Sequence, residues 1–226
     1  MLVFYVGARS RVLIFAVAVL MLVSFAVTAI GSVAEAGLGS AILGAAGVGR
    51  NAIAAVTSGS RLVPIYCVAR DDRVCSLTVD ATWGDDKTMA LLDLFDRHGL
   101  KVTFFLAGQW IKSYPDKVRE IASRGHELGN HSWTHPHMSA LSRDKIRDEL
   151  ERTQQAIADL VGKRPAVFRP PFGDYSNAVI TVAQECGLRT IQWSVDSLDW
   201  KDLSAAQIRE RVMKRVRPGA IVLFHN

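Results

Sequence analysis

Gly125-His126-Glu127-Leu128-Gly129-Asn130-His131-Ser132-Trp133-Thr134-His135 carries the pattern from which the fold can be read. Pro115 opens a helix that Gly125 stops. His126 to Leu128 follow as a brief strand. The strand runs out into a loop with two imidazoles four residues apart, a spacing that lets two ring nitrogens converge on one point. A zinc-like ion accepts that geometry when a third protein ligand arrives from elsewhere and one position is left for water. Taken alone, the pair reads equally as two polar residues in a surface loop.

Outward from this stretch the helix–strand alternation continues. Upstream, Pro64 to Ala69 and Val74 to Val79 read as two strands around an Asp71-Asp72 turn. Lys87 to His98 is helical, with Met89, Leu91, Leu92, Leu94 and Phe95 on one face and Gly99 as its stop. Val102 to Leu106 is a short apolar strand. Downstream, Ser142 caps a long helix in which Ile146, Leu150, Ile157, Leu160 and Val161 recur at helical spacing, and Gly162 ends it. Ala166 to Arg169 is a strand, Asn177 to Cys186 a helix, and Leu188 to Val195 a strand. Ser204 caps a helix to Val216, Pro218-Gly219 stops it, and Ala220 to Phe224 is a final apolar strand. Strands alternating with helices predict a parallel sheet, or a barrel of parallel strands, ringed by helices.

In such folds reactive side chains lie at the C-terminal ends of strands. The strand through Val79 ends at Asp80, followed by Ala81-Thr82-Trp83-Gly84-Asp85-Asp86. The strand at 126–128 ends at the His131/His135 loop, and the one at 166–168 at Arg169-Pro170-Pro171-Phe172-Gly173. The strand at 188–195 ends at Asp196-Ser197-Leu198-Asp199-Trp200, and the last at His225. Each residue alone has an ordinary explanation: a cap, a surface charge, a loop solvator. Carboxylates, imidazoles and a guanidinium in register with five strand ends point instead to metal-assisted hydrolysis. In that chemistry an ion polarises a carbonyl, a carboxylate deprotonates water and a histidine protonates the leaving group. Of the other rings, Trp110 and Trp193 read as core, and Trp83 and Trp133 as sugar-stacking walls or as packing. His98 and His137 read as solvent-facing, and His126 as a structural group beneath the histidine loop.

The 226 residues suffice for one domain and an appendage. The net charge of +5 comes without a basic block interleaved with aromatics, so nucleic acid is not expected as a partner. Val12 to Ile30 is an apolar run broken only by Ser24 and Thr28. It is long enough to span a bilayer core. Arg9 and Arg11 precede it and no Lys or Arg follows until Arg50, which places the N-terminus in the cytoplasm and the rest outside. The expected organisation is a cytoplasmic segment 1–11, a single-pass anchor 12–30, a Gly/Ala-rich tether 31–62 and a folded domain 63–226. The alternative is a secreted protein after signal cleavage near Ala29 or Ala36. Cys67 and Cys75 are expected as free, half-buried thiols, with a disulfide as the alternative in an oxidising compartment. Cys186 reads as core near a helix end.

From about Val63 onward the chain resembles the polysaccharide deacetylase (NodB-homology, carbohydrate esterase family 4) domain. The ordered motifs LTVDATWGDD, HSWTH, RPPFG, DSLDW and IVLFHN carry the likeness. Their fine form is similar to a sporulation-associated, PdaB-like branch. The resemblance implies a distorted (β/α) barrel with fewer than eight strands. It implies removal of N-acetyl or O-acetyl groups from a cell-envelope polysaccharide, peptidoglycan first, with a divalent ion as cofactor: zinc, with cobalt or manganese as alternatives. By that likeness Asp80 is the general base, Arg169 orients it, and His225 is the general acid, tuned by Asp199. His131 and His135 are metal ligands, the Phe172 backbone N–H faces the oxyanion, and Trp200 walls the sugar pocket.

Two departures stand out. The family's metal carboxylate directly follows the base, and that position is Ala81 here. Asp85 is the expected replacement, since Gly84 before it permits a sharp turn, with Asp86 as the alternative. The chain also stops at Asn226, where the family continues with a further helix and strand, so a domain incomplete at its C-terminus is expected. The altered first motif supports a second possibility, a catalytically impaired glycan-binding or scaffold relative.

Overall fold

A computed structural model describes residues 4–5 and 60–226. The expected anchor at 12–30 and most of the tether lie outside the described residues. Among the described residues, no helix is long and apolar enough to cross a membrane.

The strands are β1 (Phe4–Tyr5), β2 (Val74–Ala81), β3 (Thr103–Leu106), β4 (Glu127–Asn130), β5 (Val167–Phe168), β6 (Arg189–Thr190), β7 (Val195–Asp196) and β8 (Ile221–His225). The helices are α1 (Thr88–Arg97), α2 (Gly108–Ser113), α3 (Pro115–Ser123), α4 (Arg143–Val161), α5 (Asn177–Glu185) and α6 (Ala205–Arg215). Seven strands form a sheet in the order β6-β5-β4-β3-β2-β8-β7, every pairing parallel. With helices on its outside, this is the half-barrel expected of a distorted (β/α) barrel. Phe4–Tyr5 pairs antiparallel with the start of β2, Phe4 opposite Cys75.

Side-chain alternation sets two faces on each central strand. Phe104 on β3 joins the outer core with Val79, Ala81, Leu92, Phe95, Trp110, Val118, Ile121 and Ile157. Its neighbour Phe105 points the other way, into the barrel, with Val167, Ile191 and Ile221. A third cluster, including Met138, Ile146, Leu150, Phe168 and Val179, seals α4 and α5 onto the sheet. Helix starts follow the expected chemistry. The Ser142 side chain accepts from Lys145 N–H, the Ser176 side chain from Val179 N–H, and Ser204 forms a full capping box with Gln207.

Three expectations about the chain path are corrected. Pro64 to Ala69 does not form a hairpin with β2. Ile65 donates to the Thr190 carbonyl (3.0 Å) and accepts from Gln192 N–H (2.8 Å), and Val68 N–H donates to the Gly219 carbonyl (2.9 Å). This segment therefore reaches from the β6 edge to the start of β8. The expected single strand 188–195 is two short strands, because Ile191 to Ser194 leave the ladder after pairing with that segment. The cysteines are free, but Cys67 is exposed and Cys75 buried rather than both half-buried.

Candidate active site

Ser76, Thr78 and Asp80 share one face of β2, and Leu77, Val79 and Ala81 the other. Asp80 is 5% exposed and Arg169 is fully buried. Arg169 Nη1 donates to Asp80 Oδ1 (2.7 Å) and Thr78 Oγ1 (2.8 Å), and Nη2 donates to the Gln192 carbonyl (3.1 Å). The guanidinium lies 4.2 Å above the Phe105 ring. Burial presses its pKa down and Asp80 opposes the shift.

The histidine loop leaves β4 through Asn130. Asn130 Oδ1 accepts from Ser132 N–H (2.8 Å) and its amide donates to the Leu150 carbonyl (2.8 Å). Ser132 and His135 both adopt positive φ, 64° and 58°. Non-glycine residues reach that region only when the surroundings impose it. Glu149 on α4 does so. Its buried carboxylate accepts from Trp133 N–H (2.8 Å), Thr134 N–H (2.7 Å) and Thr134 Oγ1 (2.7 Å). Glu149 escaped the sequence analysis, yet it left a signal: a charge on the same helix face as Ile146, Leu150 and Thr153.

His131 Nδ1 lies 2.7 Å from the Arg169 carbonyl, which can only accept, so the tautomer assigned by this bond carries its proton on Nδ1. Nε2 keeps its lone pair, 3.5 Å from Asp80 Oδ2. The His131 and His135 rings are 4.9 Å apart. Burial lowers both pKa values, that of His135 to about 4 with His131 adding to the effect. Both rings are thus neutral near pH 7, the form that ligates metal. His135 Nδ1 is buried without a hydrogen-bond partner.

On β8, His225 is in register with Asp80. Its Nδ1 is 2.7 Å from Asp199 Oδ1, and its backbone N–H donates to Asp199 Oδ2 (2.7 Å). Burial alone would lower the His225 pKa; the Asp199 hydrogen bond and the charges of Asp80 and Asp199 outweigh it, and the net shift is upward. Burial pushes Asp199 up, and its bonds to His225 bring it below its ordinary value. Trp200 beside it is 59% exposed.

The two imidazoles fit a divalent ion, but the third protein ligand does not. Among the described residues no three His, Cys, Asp or Glu side chains are grouped to hold one. Ala81 is fully buried within the outer core. Gly84 makes the expected sharp turn (φ 66°), but its carbonyl accepts from Trp110 Nε1 and Asn226 Nδ2. Asp85, held on that pinned loop, lies 3.8 Å from Lys117 Nζ. His126 precedes β4, at the opposite end from the histidine loop. Its Nδ1 accepts from Val102 N–H (3.2 Å), and its ring packs between Phe95 and Phe104. It is structural, but not beneath the site.

The strand ends of this parallel α/β half-barrel gather an Asp–Arg pair, an Asp–His pair and two neutral histidines, the donors and acceptors of a hydrolase site. The profile described as polysaccharide deacetylase matches residues 68–191. This chain belongs to that family, the NodB-type carbohydrate esterase family 4. It is 35% identical to an uncharacterized protein of Bacillus subtilis, YlxY, over 72% of this chain and 51% of that one. It is 36% identical to the peptidoglycan-N-acetylglucosamine deacetylase PgdA of Listeria monocytogenes, over 73% of this chain and 34% of that one. Among solved structures it resembles a family-4 pseudoenzyme of Bacillus anthracis, with a TM-score of 0.71 at 37% identity, covering 72% of this chain and 58% of that one. A mutant of that pseudoenzyme has restored enzymatic activity. The chain spans about half the length, or less, of the first of these curated relatives.

Proposed function

We propose that the chain is a cell-envelope polysaccharide deacetylase that releases acetyl groups from N-acetylated cell-wall glycan, peptidoglycan first. The observation that carries this is the pairing of Arg169 with Asp80 and of Asp199 with His225 on adjacent strands, which sets a base and an acid side by side. Asp80, oriented by its hydrogen bond from Arg169, takes the proton of the attacking water. His225, kept protonated by Asp199, gives a proton to the departing amine nitrogen. Trp200 offers its exposed face to the sugar. A divalent ion held by His131 and His135 would polarise the acetyl carbonyl and lower the pKa of water. The apolar run at 12–30 supports an extracytoplasmic site of action. In a direct test, acetate release from peptidoglycan by the full chain is expected, lost with a chelator and regained with zinc. No release from any acetylated glycan would overturn the proposal.

A second reading is a glycan-binding relative without turnover. Ala81 at the position of the expected metal carboxylate, and Asp85 turned toward Lys117, favour it. Metal analysis separates the two. About one tightly bound ion per purified chain supports the deacetylase. No bound ion in the natural chain supports the relative without turnover.

A further inference from the structure

The turn that follows β5 and Arg169 makes two left-handed residues in succession, Phe172 (φ 57°) and Gly173 (φ 69°). Its own bonds run from Gly173 N–H to the Pro170 carbonyl (3.1 Å) and from Asp174 N–H to the Pro171 carbonyl (2.9 Å). Among the described residues, no hydrogen bond takes the Phe172 N–H. A free backbone donor in such a turn, beside a base and an acid, is the kind of group that stabilises charge developing on an oxygen. The turn does not hold itself, since a left-handed phenylalanine persists only where its surroundings impose it.

Gln192, a residue the sequence motifs do not single out, supplies the hold. It is 2% exposed. Its Nε2 donates to the Gly173 carbonyl (2.9 Å), and because that carbonyl can only accept, the orientation of the amide is fixed. The Gln192 backbone carbonyl accepts from Arg169 Nη2 (3.1 Å). Its backbone N–H donates to the Ile65 carbonyl (2.8 Å). One residue, fastened to the segment that enters the domain, thus grips both the guanidinium that pairs with Asp80 and the turn that carries the free N–H. The turn also seats against the neighbouring ring, because a Cβ on Gly173 would come within 3.0 Å of Trp193. Packing alone would be met by an apolar side chain at position 192. The amide adds direction, since its donor sets where the Gly173 carbonyl points.

We propose that Gln192 is a positioning residue for acetyl-group hydrolysis: its side-chain amide aims the Phe172 N–H at the carbonyl oxygen of the acetyl group, in fixed register with Arg169 and the base Asp80. This rests on the deacetylase reading of the site.

Gln192→Met and Gln192→Leu test it, since both remove the amide and keep the backbone carbonyl that Arg169 uses. In either variant of the full chain, kcat for acetate release from peptidoglycan is expected to fall about 10–100-fold with KM within about twofold, a milder loss than the roughly 100–1,000-fold for outright removal of an oxyanion donor. The rates are compared well below the melting temperature of each variant, where all molecules are folded. In 15N relaxation of the same chains, the Phe172 N–H should lose order while the amides of β2 and β8 keep theirs. A variant that melts at lower temperature but keeps the natural kcat, or whose Phe172 N–H stays as ordered as in the natural chain, would overturn the positioning role alone. No acetate release by the natural chain would overturn the deacetylase reading and the positioning role with it.

Discussion

At the scale of single residues, the site depends on buried charges arranged in pairs. Arg169 is fully buried, and among the described residues Asp80 is the carboxylate that accepts from its guanidinium. Removing one member of such a pair is expensive, because the other charge is left buried and uncompensated. The Asp199–His225 pair works by the same electrostatics at a half-exposed position. Because the His225 pKa is raised, the protonated form persists above the ordinary histidine value of 6.5 and is lost as pH rises through the folded-state pKa. Asp199→Asn removes the carboxylate charge and should move the His225 titration to lower pH, as read from its ring-proton NMR shift. Acetate release should fall about 100-fold, the lower range for losing a poised acid, with the alkaline limb of its pH profile shifted the same way. A His225 titration unmoved by the substitution would rule out this tuning. The motifs made Asp80, Arg169, Asp199 and His225 legible, since each lies at or just beyond the end of a strand. The destination of Asp85 was not legible, because it depends on Trp110 and Asn226 gripping the Gly84 carbonyl, and those residues are distant in sequence.

At the scale of elements, the histidine loop is shaped by a helix rather than by its own sequence. Two positive-φ residues and two free backbone donors would not hold in isolation, and α4 supplies Glu149 to accept from both donors. Trp133 also fills the space beside Gly108 at the start of α2, where an added Cβ would come within 2.0 Å of its ring. Glu149→Ala should cost about 2–4 kcal/mol in urea denaturation, the order expected for losing a carboxylate that holds two backbone N–H groups where one of them, on Thr134, can turn to water. Glu149→Gln, which keeps one acceptor oxygen, should cost less. Equal stability of the alanine variant and the natural chain would show that the clamp is not needed. Helix positions were largely readable, because Ser caps, glycine stops and apolar spacing are local properties. The short helix α2 was not, since its six residues carry too few periods to register. The split of 188–195 into β6 and β7 was missed because a continuous apolar run looks the same whether one partner strand or two accept its hydrogen bonds.

At the scale of the whole molecule, the curved sheet is tied together by the segment that enters the domain. Ile65 bonds to the β6 edge and Val68 to Gly219, two residues before β8, so the first residues of the domain bridge elements far along the chain. Gly219 permits this closure. It has φ 74°, and a Cβ there would stand 1.8 Å from the Val68 carbonyl oxygen. Gly219→Ala should therefore lower stability by about 2 kcal/mol or more, combining left-handed strain with a backbone clash that no side-chain rotation relieves. An unchanged melting temperature would show that the closure is dispensable. The sequence by itself determined the alternation of strands and helices, the family and the residues at five strand ends. Those follow from local propensity and from the shared direction of parallel strands, which places their C-terminal ends on one rim. Only the tertiary structure decided that Pro64 to Val68 closes the sheet instead of forming a hairpin, that Glu149 holds the histidine loop, and that Asp85 faces Lys117. Each of these is a contact between residues distant along the chain, and no periodicity encodes which distant partner a carbonyl or carboxylate will meet.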